Sequence, residues 1–322
     1  MIKFSERMKE IINPIDKKLI EAELTTDKFL RKTNNGGNEL YIINHHNSPN
    51  VMLEIGRLRE LTFRNAGGGT GKDIDIDKFD TQDEPYEQLI SWDPEDKEIV
   101  GGYRFHVCNQ NSDPNNLATS KLFEFSEEFS KNYLPYMIEL GRSFIQPKFQ
   151  SASAGRKALF ALDNLWDGLG ALVIENPQIK YYFGKVTMYP HFNEEARNMI
   201  IYFLNSQFPD KEKQVIPKKP LTLNIDEVKM KSIFTGKDYK ENYRILQKKV
   251  REFNLNIPPL INAYMNLSPS MKFFGTAIND TFGGVEESGI MITINDIFPV
   301  KKERHITTYI RNKFLNKFKH KK

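Results

Sequence analysis

Apolar and polar residues follow two rhythms along this chain of 322 residues. Residues 40–43, 86–92, 98–107, 136–145 and 181–188 are short apolar or alternating runs bounded by turn residues, the pattern of β-strands. Between them Val51, Ile55, Leu58 and Thr62 recur at helical spacing. Ser48 stands as N-cap, Pro49 as the first helical residue, and Gly67-Gly68-Gly69 as the stop. Residues 155–175 carry Ala158, Leu159, Leu162, Leu165, Trp166, Leu169, Leu172 and Val173, which predicts a helix apolar over most of its girth, and 193–207 predicts another. Shorter helices are expected near Met8 to Ile20, interrupted at Pro14, and over 123–129. From Pro209 the composition turns rich in lysine and proline, then polar and mostly helical, clearest over 239–253. A helix over 258–264 and strands over 273–278 and 289–297 follow. The pattern predicts an α/β (α+β) fold, a mixed sheet with helices on its faces. Its expected organisation is a core over 1–208, an inserted helical arm or lid over 209–255, a part completing or extending the core over 256–300, and a basic tail over 301–322.

Composition adds that 39% of residues are apolar, enough for a real core. The single Cys108 excludes an internal disulfide framework and a cysteine-based zinc site, and suits a reducing compartment. No apolar run approaches the ~20 residues of a membrane span, and the first ten residues are too charged for a secretory signal, so a cytoplasmic protein is expected. The net charge of +4 is small, and no nucleic acid partner is expected. It is unevenly spread: Lys301, Lys302, Arg304, Arg311, Lys313, Lys317, Lys319, Lys321 and Lys322 face the single Glu303, with Ile306, Tyr309, Ile310, Phe314, Leu315 and Phe318 interleaved. Such a segment is either a basic amphipathic helix that meets anionic lipid or an acidic partner, or a solvated tail.

Candidate chemistry lies in charges embedded in apolar strands. Glu139 and Arg142 stand three apart in one run, Arg104 interrupts another beside Gly101-Gly102, and Asp75, Asp77 and Asp80 cluster after the glycines. Unpaired buried charges cost several kcal/mol, so these are either paired structurally or put to use. The acids either answer the arginines of the preceding helix, among them Arg57, Arg59 and Arg64, or receive a cationic amine. The aspartate cluster lacks the glycine and terminal glutamate of a calcium loop, and His45, His46 and His191 have no metal-site spacing. A carboxylate between burial and a guanidinium is a tunable base. The small-residue turn from Ser151 to Gly155 and the helix start at Arg156 and Lys157 suit a phosphate. Amine, base and phosphate together describe acyl transfer from a thioester to nitrogen; a structural ion pair beside an ordinary turn explains the same residues.

Several ordered motifs carry a resemblance. Glu54-Ile55-Gly56-Arg57-Leu58-Arg59-Glu60, Gly69-Thr70-Gly71, Asp75-Ile76-Asp77-Lys78-Phe79-Asp80, Ile99-Val100-Gly101-Gly102-Tyr103-Arg104 and Glu139-Leu140-Gly141-Arg142-Ser143-Phe144-Ile145 resemble the acyl-carrier-protein-dependent N-acyltransferases. These are the ornithine-lipid and glycine-lipid enzymes often labelled hemolysins, similar in fold to GCN5-related (GNAT) acetyltransferases and acyl-homoserine-lactone synthases. The resemblance runs from about Val51 to Met188 and again from Pro258 to Arg304. It implies a GNAT-like, mostly antiparallel sheet with a C-terminal extension and no permanently bound cofactor. A long-chain, plain or 3-hydroxy acyl group would pass from acyl carrier protein, or from coenzyme A, to the amine of a small amino acid, glycine before ornithine, in aminolipid synthesis. It implies Glu139 as base or water-relay anchor with Arg104 and Arg142 in the catalytic centre. Asp77, Asp80, Arg64, Ser143 and Phe144 would contact or orient substrate. Ser153, Gly155, Arg156 and Lys157 would meet the donor's phosphopantetheine; there the usual phosphate loop is present only in degraded form, which suits a carrier-protein donor. The implied partners are acyl carrier protein, a small amino acid and, through 301–322, the inner face of an anionic membrane. A lactone-signal synthase and a non-catalytic membrane-binding protein are the alternatives.

Overall fold

A computed structural model of the chain describes residues 8–150 and 155–319. In chain order the elements are α1 (Lys17–Glu23), β1 (Phe29–Lys32), β2 (Glu39–Ile43), α2 (Pro49–Asn65), α3 (Lys78–Thr81), β3 (Glu87–Asp93), β4 (Glu98–Val107), β5 (Phe123–Phe125), α4 (Glu127–Asn132) and β6 (Met137–Ile145). There follow α5 (Arg156–Glu175), β7 (Tyr181–Met188), α6 (Glu194–Gln207), β8 (Val215–Pro217), α7 (Glu227–Ile233), α8 (Tyr239–Arg251), α9 (Pro259–Met265), β9 (Lys272–Asn279) and β10 (Val285–Thr293). The last are α10 (Pro299–Lys302), a π-helical turn (Glu303–Thr307) and α11 (Thr308–Lys319). The fold is mixed α/β, and its sheet is mostly antiparallel: β1–β2, β2–β3, β3–β4, β4–β6, β7–β10 and β9–β10 all pair that way, as does the separate pair β5–β8.

The chain divides into two compact units, each discontinuous in sequence. The first comprises residues up to Val107, Ile138–Ile179 and everything from Phe298. In it β1, β2, β3, β4 and β6 lie side by side in that order. Helix α5 packs on one face: a Cβ added to its Gly168 would stand 2.6 Å from the Leu89 side chain of β3. Helix α2 begins at Pro49, but the Ser48 side chain does not cap it as expected. The hydroxyl instead accepts a hydrogen bond from the Lys28 ammonium at 3.0 Å, a competing partner remote in sequence. Asp16 caps α1, which starts only after Pro14 and Ile15 have passed.

In the second unit, Cys108–Met137 and Lys180–Ile297, β10 lies between β7 and β9, and β5 pairs with β8. Aromatic side chains fill its core: Phe123, Phe129, Phe183 and Phe274 are buried together with Cys108, Met137 and Met291. Two expectations are corrected here. Residues 123–129 are not one helix, because Phe123–Phe125 pair with Val215–Pro217 and Ser126 then caps α4. Strand β10 begins at Val285, four residues before the predicted 289, because its acidic start is neutralised from afar: Glu286 pairs with Arg197 at 2.5 Å and Glu287 with Lys185. Residues 209–255 contribute β8, α7 and α8, with Leu246 and Val250 of α8 buried.

Candidate active site

The register of three strands of the first unit sets up one polar face. Gln88 of β3 stands opposite Arg104 of β4, which stands opposite Gly141 of β6, and His106 stands opposite Glu139. Residues two apart in a strand share a face, so these side chains project together, away from Leu89 and α5. Helices α2 and α3 answer them from above. Arg59 of α2, fully buried, donates to Gln88 and pairs with Asp80 at 3.2 Å. Arg104 donates to Asp77 at 2.7 Å and Asp80 at 3.1 Å. The four-residue α3 is itself closed by a capping box, in which Asp77 accepts from the Phe79 N–H and Asp80 from the Asp77 N–H. Burial pushes the Asp80 carboxyl up, but the guanidiniums of Arg59 and Arg104 outweigh it and hold it below the ordinary carboxylate range. Asp77 is lowered in the same way, against its burial, by Arg104 and Arg142.

Strand β6 carries a bulge at the centre of this face. Gly102 pairs with Phe144 and Arg104 with Gly141, so Arg142 and Ser143 together oppose the single Tyr103. Arg142 takes up the extra residue with φ +48°, a left-handed conformation that costs a non-glycine residue roughly 1–2 kcal/mol. Its guanidinium offsets that strain by ion pairs with the buried Asp75 at 2.8 Å and with Asp77 at 3.6 Å. The bulge also resets the alternation: Glu139 and Gly141 face the polar side, and after it Phe144 does too. Gly101 and Gly102 permit the close approach, since a Cβ on Gly101 would stand 2.3 Å from the Phe144 carbonyl oxygen. Gly141 is the opposite case: a Cβ built there meets no heavy atom of the described residues within 4 Å, and the residue is partly exposed. The polar face therefore opens at Gly141, between Arg104 and Glu139.

Glu139 is 1% exposed and accepts a hydrogen bond from the Tyr86 hydroxyl. Tyr86 stacks on His106, ring centroids 4.7 Å apart and planes 17° from parallel. Burial pushes the His106 imidazole down from its usual value, against the pull of Glu139 and Glu84, so the ring is neutral near pH 7.

The structure thus brings Glu139, Arg104, Arg142, Asp77, Asp80 and Phe144 into one neighbourhood. Ser143 lies in the bulge, half-buried. Arg64 is committed elsewhere: it pairs with Glu60 at 2.7 Å and donates to the carbonyls of Lys9 and Lys72. Glu60 in turn accepts from the N–H and hydroxyl of Thr70 and the N–H of Gly71, so this pair fixes the glycine loop that leads to the aspartates. Gly155, φ +57°, is the N-cap of α5. Lys157 reaches back to the turn between β3 and β4, pairing with Asp93 at 2.8 Å, Asp96 at 3.0 Å and Glu95 at 3.3 Å. Ser153 and the Arg156 side chain lie outside the described residues. Tyr86, Gln88 and His106 escape the sequence reading; the signal for His106 is its position two residues after Arg104, which puts both on one face.

Comparison with known proteins places these elements. A family model described as an acetyltransferase (GNAT) domain matches residues 58–158, the span from α2 to the start of α5. The glycine N(alpha)-acyltransferase of Phocaeicola vulgatus is 53% identical over 308 residues, covering 94% of each chain. That of Bacteroides thetaiotaomicron is 53% identical over 309 residues, 95% of this chain and 92% of its own. Among solved structures, a CoA-dependent acyl-homoserine lactone synthase with SAM and isopentyl-CoA is 16% identical over 50% of this chain and 72% of its own, with a TM-score of 0.29. That likeness is too slight to carry an argument.

Proposed function

The chain belongs to the family of glycine N(alpha)-acyltransferases, and from that premise we propose that it moves a long-chain, plain or 3-hydroxy acyl group from acyl carrier protein to the amine of glycine, in aminolipid synthesis. That it is an acyltransferase follows from the family and from its GNAT domain. The observation that carries the reading of the site is the opening at Gly141 beside a buried, hydrogen-bonded carboxylate. The glycine amine enters there and is deprotonated with help from Glu139, and the freed lone pair attacks the thioester carbonyl. The bulge interrupts the β4–β6 ladder at Arg142 and Ser143, and backbone N–H groups between Ser143 and Ile145 steady the tetrahedral oxyanion. Arg104 with Asp77 and Asp80 braces the face, and Arg142 holds the bulge. The turn at Ser153 and Gly155 and the first residues of α5, Arg156 and Lys157, receive the donor's phosphopantetheine phosphate; Lys157 joins by releasing its carboxylate partners. Through 301–322 the enzyme touches the anionic membrane that takes up its product.

The test is direct. Purified protein is incubated with acylated carrier protein, or with the matching coenzyme A thioester, and a panel of amino acids, and products are read by mass spectrometry. N-acylglycine formed from the carrier protein is expected; preference for ornithine overturns the acceptor, and preference for coenzyme A overturns the donor. Glu139→Gln is expected to lower turnover by ~10²-fold or more, and unchanged product would sink its role.

A further inference from the structure

Resting on that reading, one question stays open at the polar face: which atom does the substrate's ammonium meet? Glu139 carries the charge but is 1% exposed, and the Tyr86 hydroxyl occupies one of its oxygens. His106 stands directly across from it on β4 and is only half-buried. Directly opposed residues of antiparallel strands hold their Cβ atoms about 4.5–5.5 Å apart on the same face. Tyr86 fixes both, one by its hydroxyl and the other by ring stacking. Among the described residues neither ring nitrogen of His106 meets a hydrogen-bond partner, and both stay available to a ligand. The groups that face the ring are Tyr86, Glu139 and Glu84, with Arg104 two residues before it on the same strand.

The geometry points to His106 as a catalytic residue that takes the proton from the acceptor amine, with Glu139 behind it stabilising the imidazolium that results. A neutral imidazole at physiological pH has the lone pair this requires. The ring takes one proton from the ammonium, and the freed nitrogen lone pair bonds to the thioester carbonyl carbon. The second N–H proton leaves to solvent, the C–S bond breaks as the tetrahedral intermediate collapses, and the imidazolium returns its proton to the departing thiolate. The products are the amide, the free thiol and one proton. Glu139 then acts through charge rather than contact, which suits its burial.

The experiment compares wild type with His106→Gln over about pH 5 to 9, checking by circular dichroism that the variant is folded. Wild-type kcat/KM is expected to rise with pH through an inflection below the ordinary histidine value. His106→Gln is expected to lose ~10²-fold or more in kcat/KM at neutral pH and to lose that inflection. A structural role would lower stability while leaving the shape of the profile. In a second arm, glycine alone is added to wild type and the histidine ring resonances, six in the chain, are followed by NMR; the His106 signal is expected to move. A variant that keeps full activity and the inflection, or a ring that ignores glycine, overturns the assignment. The two failures separate: a wild type that makes no N-acylglycine overturns the functional reading and this inference with it, whereas an active wild type beside an equally active variant overturns this inference alone.

Discussion

Asp80 illustrates how much a single carboxylate organises here. It is fully buried, accepts from two guanidiniums, an amide side chain and a backbone N–H, and joins α3 to both α2 and β4. Removing its charge leaves Arg59 and Arg104 buried with too few anions, so Asp80→Asn is expected to cost about 3–5 kcal/mol at neutral pH, read as a fall in the urea midpoint. The pH dependence has a definite sign. Asp77 and Asp80 both have folded values below the ordinary carboxylate range, so their contribution is full above about pH 4 and is lost as pH falls through the depressed folded values. The wild-type midpoint is therefore expected to drop on acidification into that window, and that of Asp80→Asn to drop less; equal slopes would count against the network. From the sequence, embedded charges in apolar strands were enough to single out Arg104, Glu139, Arg142 and the aspartates, because burial makes an isolated charge conspicuous. Their partners were not legible: Arg59 looks like any helix arginine until Gln88 and Asp80 arrive from residues far along the chain.

Among elements, β6 decides the site because its bulge turns Phe144 to the same side as Glu139 and Gly141. Two glycines flanking that bulge are expected to behave differently. In Gly101→Ala the new methyl would lie 2.3 Å from the Phe144 carbonyl oxygen, and β4 and β6 must separate, at a cost of about 1–3 kcal/mol. Gly141→Ala meets open space, so its melting temperature is expected to hold within a degree or two while turnover of glycine falls, the methyl occupying the acceptor's entry. Thermal melts beside steady-state kinetics check both, and a stable, fully active Gly141→Ala protein would remove Gly141 from the site. The strands and the longer helices were legible because their apolar period is local: α2, α5, β6, β7 and α6 lie within a residue or two of expectation. The failures share a cause, which is partnership remote in sequence. Phe123–Phe125 is a strand only because Val215–Pro217 lies beside it, and the acidic start of β10 is a strand only because Lys185 and Arg197 neutralise it.

At the scale of the whole chain, the C-terminal residues return to the first unit, which makes their removal more than the loss of a charged end. Asp167 of α5, fully buried, accepts from the backbone and side-chain nitrogens of Asn34, each at 2.7 Å, and lies 2.8 Å from the His305 Nδ1. Gly170 lets the π-helical turn approach, since a Cβ there would stand 2.4 Å from the His305 carbonyl oxygen. Tyr309 closes the contact by donating to Glu175 at 2.5 Å. Beyond these, Lys313 lies over the Tyr309 ring at 5.8 Å and makes an exposed pair with Glu175, of the kind worth about 0–1 kcal/mol. Two truncations therefore separate anchoring from charge. Ending the chain at Phe298 removes His305 and Tyr309 and leaves the buried Asp167 carboxylate without its histidine, held by Asn34, and a loss of roughly 3 kcal/mol or more is expected. Ending it at Asn312 removes Lys313, Lys317, Lys319, Lys321 and Lys322 while keeping both anchors, and stability is expected to stay within about 1 kcal/mol. If the basic end contacts the membrane, each lysine near the surface contributes about 1 kcal/mol to binding, so the longer truncation product should lose most of its affinity for anionic vesicles at low salt while its melting curve barely moves. Among the described residues no helix is long and apolar enough to cross a membrane. Vesicle sedimentation at low and high salt decides it: binding equal to that of the full chain, or unaffected by salt, would assign these lysines to solvent.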